Sequence, residues 1–226
     1  MKKRIYIFIN GIMCRPGDSH NWNARAVEWI HEHTEHRGDM VEYFCTIVGR
    51  AFFEKTLAEK LAEKISEYIR MGYEVILVGH SNGTALILKA LGLLDWPEMV
   101  AVHLISAACE EDFEKNGLNF ALKNGRVGKV CVWMSGHDSA LHIAKCRVGR
   151  WLGYGVLGLD GPQNVTDIPD YRITPELWQP PTIIAAPNTY YLAGGRVQVT
   201  KWPTRDHSDC FKPYNFNETL RAIANN

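Results

Sequence analysis

The sequence has no excess of charge of either sign, because 25 Lys and Arg balance 25 Asp and Glu over 226 residues. Proteins that grip nucleic acid usually carry a basic patch or stripe, so the balance predicts no nucleic-acid partner. Long apolar runs are also missing. None approaches the roughly 18 residues that crossing a bilayer requires, which predicts no membrane span and a soluble protein. The six cysteines (Cys14, Cys45, Cys109, Cys131, Cys146 and Cys210) form no CxxC pair, so neither a zinc site nor a disulfide framework is indicated. Cys45 within 41–48 and Cys131 within 130–134 sit in strand-like apolar runs. Buried free thiols in a reducing, cytoplasmic compartment are the expectation. Internal repeats and low-complexity linkers are absent as well. Met1-Lys2-Lys3-Arg4 before Ile5-Tyr6-Ile7-Phe8-Ile9 has the start of a signal peptide, but the apolar stretch is short and runs into Asn10-Gly11 with no small-residue cleavage site. A buried strand fits it better.

What is present is hydrophobic residue, 46% of the chain, enough for one sizeable core and a single domain over 1–226. Short β-branched runs at 4–9, 40–47, 74–78, 100–105, 129–134 and 196–201 predict about six strands. Amphipathic stretches at 23–35, 54–71, 82–94 and 113–124 predict helices between them. The second is the clearest, since Leu57, Leu61, Ile65 and Ile69 recur every four residues while Glu and Lys fill the other face. Gly72 follows where a helix C-terminal glycine belongs. Strands alternating with helices predict an α/β fold, a mostly parallel central sheet with helices on both faces. Continuously apolar strands such as Val75-Ile76-Leu77-Val78 agree, because parallel strands are buried on both sides. Residues 141–195 break the rhythm with Gly, Pro and aromatics. A stretch of this kind is either a lid-like excursion over a site or a loop that covers a sheet edge.

Gly79-His80-Ser81-Asn82-Gly83 matches G-x-S-x-G, with an apolar strand before it and the helical run 84–90 after it. A serine there occupies a tight strand-to-helix turn, and the flanking glycines avoid a clash as the backbone doubles back. The turn lifts the hydroxyl clear of the sheet and aims a helix N-terminus at it. The backbone N–H of Asn82 then points where an oxyanion would form. Strand, motif and helix resemble the α/β-hydrolase family, and the resemblance covers nearly the whole chain. It implies a minimal form of that fold with a small cap or none, the chain opening at the strand that leads to the oxyanion loop with no room for the family's first two strands.

The resemblance also implies the remaining roles. Phe8-Ile9-Asn10-Gly11-Ile12, with Trp22 ten residues on, is similar to the family's His-Gly loop, and Ile12 would supply the second oxyanion N–H. Asn10 stands where His is usual, a tolerable departure because the donor is main chain. A serine needs a base, and the base an orienting carboxylate, in the chain order Ser, acid, His. Ser135-Gly136-His137-Asp138 follows a strand and loosely resembles the family's Gly-x-x-Asp pattern, making Asp138 the acid. Its competing reading is a helix N-cap. Glu110, Glu111 and Asp112, after the preceding strand, are the alternative acids. His207, after the last strand, is the only histidine beyond residue 142 and is the base. Its neighbours Asp206 and Asp209 are not expected to be triad partners, because adjacent side chains on an extended segment diverge.

Other histidines are read as bystanders. His31, His33 and His36 fail the H-E-x-x-H spacing, since position 35 is glutamate, and a solvated helix end is expected there, with no metal. His80 is expected to pack beside the nucleophile, and His137 and His142 to line the rim or face solvent. The resulting expectation is a carboxylesterase- or lipase-like serine hydrolase. It would cleave a small-molecule ester through an acyl-enzyme with Ser81, Asp138 and His207, and would need no cofactor. A thioesterase or acyltransferase with the same triad, or a binding protein on a hydrolase scaffold, are the alternatives. Trp151, Tyr154, Trp178, Tyr190 and Tyr191 are equally readable as an acyl wall and as packing residues.

Overall fold

The computed structural model describes residues 3–12, 14, 16–17, 21–44, 46, 50–94, 100–166, 189–202 and 206–225. The first strand, β1 (Arg4–Ile9), sets the layering. Its side chains alternate between the two faces of a sheet, with Ile5, Ile7 and Ile9 in one apolar cluster and Tyr6 and Phe8 in the other. All five are fully buried, each worth about 1.5–3 kcal/mol for an aliphatic or aromatic side chain of this size. The charged opening of the chain therefore feeds a core strand.

Around β1 stand β2 (Arg37–Val41), β3 (Glu74–His80), β4 (Val100–Ile105), β5 (Val127–Met134), β6 (Thr189–Leu192) and β7 (Val197–Lys201), in the sheet order β2-β1-β3-β4-β5-β7-β6. All pairings are parallel except β6 against β7. The described sheet thus has seven strands where the sequence predicts six. The extra one is a four-residue antiparallel edge strand in which both tyrosines are partly exposed, so it lacks the apolar run that marks the others.

The helices are α1 (Trp22–His33), α2 (Arg50–Arg70), α3 (Asn82–Gly92), α4 (Leu118–Lys123), α5 (Ser139–Ala144), α6 (Arg147–Trp151), α7 (Leu157–Asp160) and α8 (Pro213–Ala224). On α1, Trp22, Ala26, Trp29 and Ile30 lie at helical spacing and pack with Phe216, Leu220 and Ile223 of α8 against Tyr6 and Phe8. On the opposite face, Ala58, Leu61, Ala62 and Ile65 of α2 join Leu86, Ile87 and Ala90 of α3 and Leu118 and Leu122 of α4. The chain leaves β1 outward to β2 and returns to the other side of β1 as β3. Crossovers of one hand running in opposite directions place α1 and α2 on opposite faces. The reversal also opens a crevice at the carboxyl ends of β1 and β3, the usual position of a ligand site in such sheets.

Two expected elements shift most, and one helix stands outside the expectation. The 40–47 run predicts a strand, but β2 ends at Val41, because its pairing with β1 stops at Ile9. Tyr43 beyond it is buried, and its Oη accepts from Asn82 Nδ2–H. The helix expected over 113–124 begins only at Leu118, since Gly117 precedes it in the left-handed conformation and Asp112 Oδ1 ties the turn by accepting from Glu114 and Lys115 N–H. The C-terminal α8 lies outside the elements predicted from the sequence. Residues 141–166 of the irregular segment carry most of α5 and all of α6 and α7. They are fastened to the chain that follows β4, because Arg150 forms a two-bond ion pair with Glu111 and Val156 N–H donates to the same carboxylate. Cys14, Cys131 and Cys146 carry free thiols, and Cys131 is buried. No described helix is long and apolar enough to cross a membrane.

Candidate functional site

Ser81 follows β3 directly, with φ 55° and ψ −125°. A non-glycine residue at such a φ is costly, about 1–3 kcal/mol, and persists only where its surroundings enforce it. They do so here. Ser81 N–H donates to Ile105 O at 3.0 Å, while its carbonyl accepts from Thr84 N and Ala108 N at 3.2 Å and from Thr84 Oγ1 at 2.5 Å. Of the flanking glycines, Gly83 is sterically required and Gly79 is closely packed. A Cβ on Gly83 would lie 2.5 Å from Asn10 O and 2.6 Å from Ile9 O, and one on Gly79 would lie 2.6 Å from Ile87 Cδ1. The tight G-x-S-x-G turn is thus present, and α3 starts at Asn82.

Gly11 backs onto the serine. Its added Cβ would stand 3.0 Å from Ser81 Cβ and 3.4 Å from Ser81 Oγ, so the segment leaving β1 runs beside the hydroxyl. Ile12 comes next, partly buried between the main core and a small cluster of Ala108, Leu141, Tyr154, Val156 and Leu159. Asn82 donates its Nδ2–H to Tyr43 Oη at 3.3 Å, and Asn10 donates weakly to Tyr43 O at 3.5 Å.

Asp138 and His207 meet, although 69 residues separate them. His207 Nδ1 lies 2.9 and 2.8 Å from the two carboxylate oxygens of Asp138, and Asp138 is 0% exposed. A buried carboxylate on Nδ1 leaves Nε2 as the ring's working nitrogen. Asp138 Oδ1 also accepts from Leu141 N–H at 2.9 Å, so the N-cap reading and the acid reading of this residue are compatible. Two of the three alternative acids are committed elsewhere. Glu111 is held by Arg150, and Asp112 accepts from Asn164 Nδ2 at 2.9 Å and pairs with Lys115. Despite the desolvation that opposes it, the Arg150 pair draws the Glu111 carboxyl below its ordinary range.

His80 joins the serine turn to the histidine loop. Its Nε2–H donates to His207 O at 2.8 Å, and its ring packs against Trp22, Phe211 and His207. Burial, assisted by the neighbouring His207, pushes its pKa down to about 3, so the imidazole is neutral. The sequence places His80 beside the nucleophile but gives no sign of this bond, because its acceptor is a main-chain carbonyl 127 residues away. Asp209, as expected, is not part of the pair, and is bound to Lys212.

The other singled-out residues disperse. His31 Nε2 accepts from Gly38 N–H, His33 Nδ1–H donates to Trp29 O, and His36 packs near Tyr6, so the three engage different groups. His137 and His142 are exposed. Of the five aromatics, Tyr154 is buried in the cluster that touches Ile12. Trp151 is 83% exposed and walls nothing, the tyrosines 190 and 191 lie on the edge strand, and Trp178 lies outside the described residues.

No protein-family model matches this sequence, and no curated protein does. Solved structures do match. Esterase PE8 is 11% identical, covering 99% of this chain and 92% of its own, with a TM-score of 0.51. Est1E from Butyrivibrio proteoclasticus is 10% identical over 98% of this chain and 86% of its own, with a TM-score of 0.48. The Est2 esterase of Thermogutta terrifontis is 10% identical over 99% and 80%, with a TM-score of 0.47. At such identities the likeness is one of fold, carried by the first of these, and the fold it joins to the parallel sheet described above is that of the α/β-hydrolases.

Proposed function

We propose that this protein is a serine hydrolase of carboxylic esters, with Ser81 as nucleophile, His207 as base and Asp138 as the acid that orients it. The observation that carries the reading is the fully buried Asp138 carboxylate on His207 Nδ1, in a loop bonded through His80 to the turn that holds Ser81. Esterase PE8, of like fold, agrees with it.

In this mechanism His207 Nε2 takes the Ser81 proton as Oγ attacks the ester carbonyl. Asp138 fixes the tautomer and stabilises the imidazolium. The Ile12 and Asn82 N–H groups hold the oxyanion, the second reinforced by the start of α3. His207 returns the proton to the leaving alcohol, then activates the water that releases the acid. None of these steps calls for a cofactor. The cluster of Ala108, Leu141, Tyr154, Val156 and Leu159 gives the acyl side an apolar wall. The described part of the irregular segment, 141–166, anchored through Arg150 and Glu111, serves as a fixed wall.

The test is hydrolysis of p-nitrophenyl esters of graded chain length by wild type, Ser81→Ala and His207→Ala. Turnover by wild type alone is expected. Turnover that survives both substitutions overturns the reading, and turnover confined to thioesters, or dependent on an acceptor alcohol, reassigns the reaction.

A further inference from the structure

A base and its acid carried on two separate loops need something to fix one loop to the other. Asp138 follows β5 and His207 follows β7, and the single hydrogen-bonded contact of their side chains would be free to part whenever either loop shifted. Asp206, the residue dismissed as a partner because its side chain diverges from that of His207, occupies the junction between the loops. Its Oδ1 accepts from Ser139 N–H and Ser139 Oγ–H, both at 2.9 Å, and from His207 N–H at 2.8 Å. Ser139 is the residue after Asp138. One carboxylate oxygen therefore bonds the acid's neighbour and the base's own main chain. From the other side, Asp206 N–H donates to Asp209 Oδ2 at 2.9 Å, and His80 holds the His207 carbonyl.

We propose that Asp206 is a positioning residue that clamps the histidine loop to the acid loop and thereby keeps the His207 imidazole on Asp138. The clamp rests on the Ser81, His207 and Asp138 reading of the site, and acts through His207 without touching substrate. Three donors on one anionic oxygen make a charge-assisted set, stronger than bonds to a neutral acceptor. The same donors hold the Asp206 carboxyl below its ordinary range, the Ser139 N–H foremost. Ser139→Ala removes only the hydroxyl bond. Asp206→Ala removes all three, and Asp206→Asn keeps an oxygen in place without the charge. Asp206 is exposed, and removing a side chain at such a position normally leaves the fold intact.

The experiment measures kcat, KM and melting for Asp206→Ala, Asp206→Asn, Ser139→Ala and the Asp206→Ala/Ser139→Ala pair. It also follows the far-downfield proton resonance of His207 Nδ1–H in the wild type and each variant. The expected result is a fall in kcat of about 10- to 100-fold for Asp206→Ala, the scale set by small misplacements of reacting groups, with KM near wild type. The Nδ1–H resonance weakens or exchanges faster, Asp206→Asn recovers part of both, and Ser139→Ala has no further effect once Asp206 is alanine. An unchanged resonance and unchanged kcat in Asp206→Ala overturn the clamp, as does a loss of melting temperature with the resonance unmoved. If His207→Ala keeps full turnover, the catalytic reading fails instead, and the resonance still decides whether Asp206 holds the ring.

Discussion

Replacing Gly83 by alanine should pry the first turn of α3 from the exit of β1. The new Cβ would stand 2.5 Å from Asn10 O and 2.6 Å from Ile9 O. Both are backbone atoms at the end of a central strand, so neither can swing aside as the tip of a side chain would. Relief takes a separation of about 0.5 Å or more, and overpacking of that kind typically costs ~1–3 kcal/mol. In a domain of this size the melting temperature falls by roughly 2–12 °C. The same displacement parts Ser81 from the Gly11–Ile12 segment, so the proposed chemistry should slow by up to about 100-fold. Gly79→Ala meets chiefly the flexible Ile87 Cδ1, with Thr84 N at 3.1 Å, and should cost less. Gly136→Ala meets nothing within 4 Å and should be silent. Thermal melts by circular dichroism, paired with ester hydrolysis, read all three. A Gly83→Ala protein that melts and turns over like wild type refutes the steric argument, and so does a Gly136→Ala protein damaged as badly as Gly83→Ala.

Asp138→Asn keeps the shape of the acid but places an amide against Nδ1, and turnover should fall about 10³- to 10⁴-fold. Glu111→Gln should leave turnover near wild type while costing roughly 1–3 kcal/mol of stability, since a buried acceptor of Arg150 and Val156 loses its charge. The reverse pattern in hydrolysis assays would move the acid to the loop after β4. Burial also holds His103 at a pKa of about 3, as it does His80, whereas both titrate near 6.5 when unfolded. The stability they contribute is complete above pH 6.5. It falls by about 1.4 kcal/mol per histidine for each pH unit below that, until the folded pKa is reached. Urea midpoints at about pH 7.5 and about pH 5.5 read the loss, and equal midpoints would contradict it.

Periodicity made most of the sheet legible. β1 and β4 were predicted to the residue, and α1, α2 and α3 within a few residues at each end. These are the elements whose apolar faces are unbroken. β6 escaped because an edge strand with two partly exposed tyrosines carries no such face, and α4 was overextended because Gly117 resets the chain where the hydrophobic pattern does not. At the site, the motif and chain order point to Ser81, Asp138 and His207, and the structure brings the last two together. Local sequence could not show that Glu111 was already taken by Arg150, nor that Asp206 reaches Ser139. Each contact joins a loop to a short helix that it meets only once the sheet is assembled. The rule that adjacent side chains diverge excludes Asp206 as a triad partner, but it does not address bonds from the main-chain N–H groups of Ser139 and His207 or from the Ser139 hydroxyl.

The proposed chemistry turns on an activated serine at residue 81. Intact-mass analysis after fluorophosphonate treatment, with peptide mapping of the adduct, tests it most directly. A single adduct on wild type, mapped to Ser81 and absent from Ser81→Ala and from His207→Ala, is the expected result. A well-folded wild type that takes no label, or one labelled equally well after Ser81→Ala, would contradict the account.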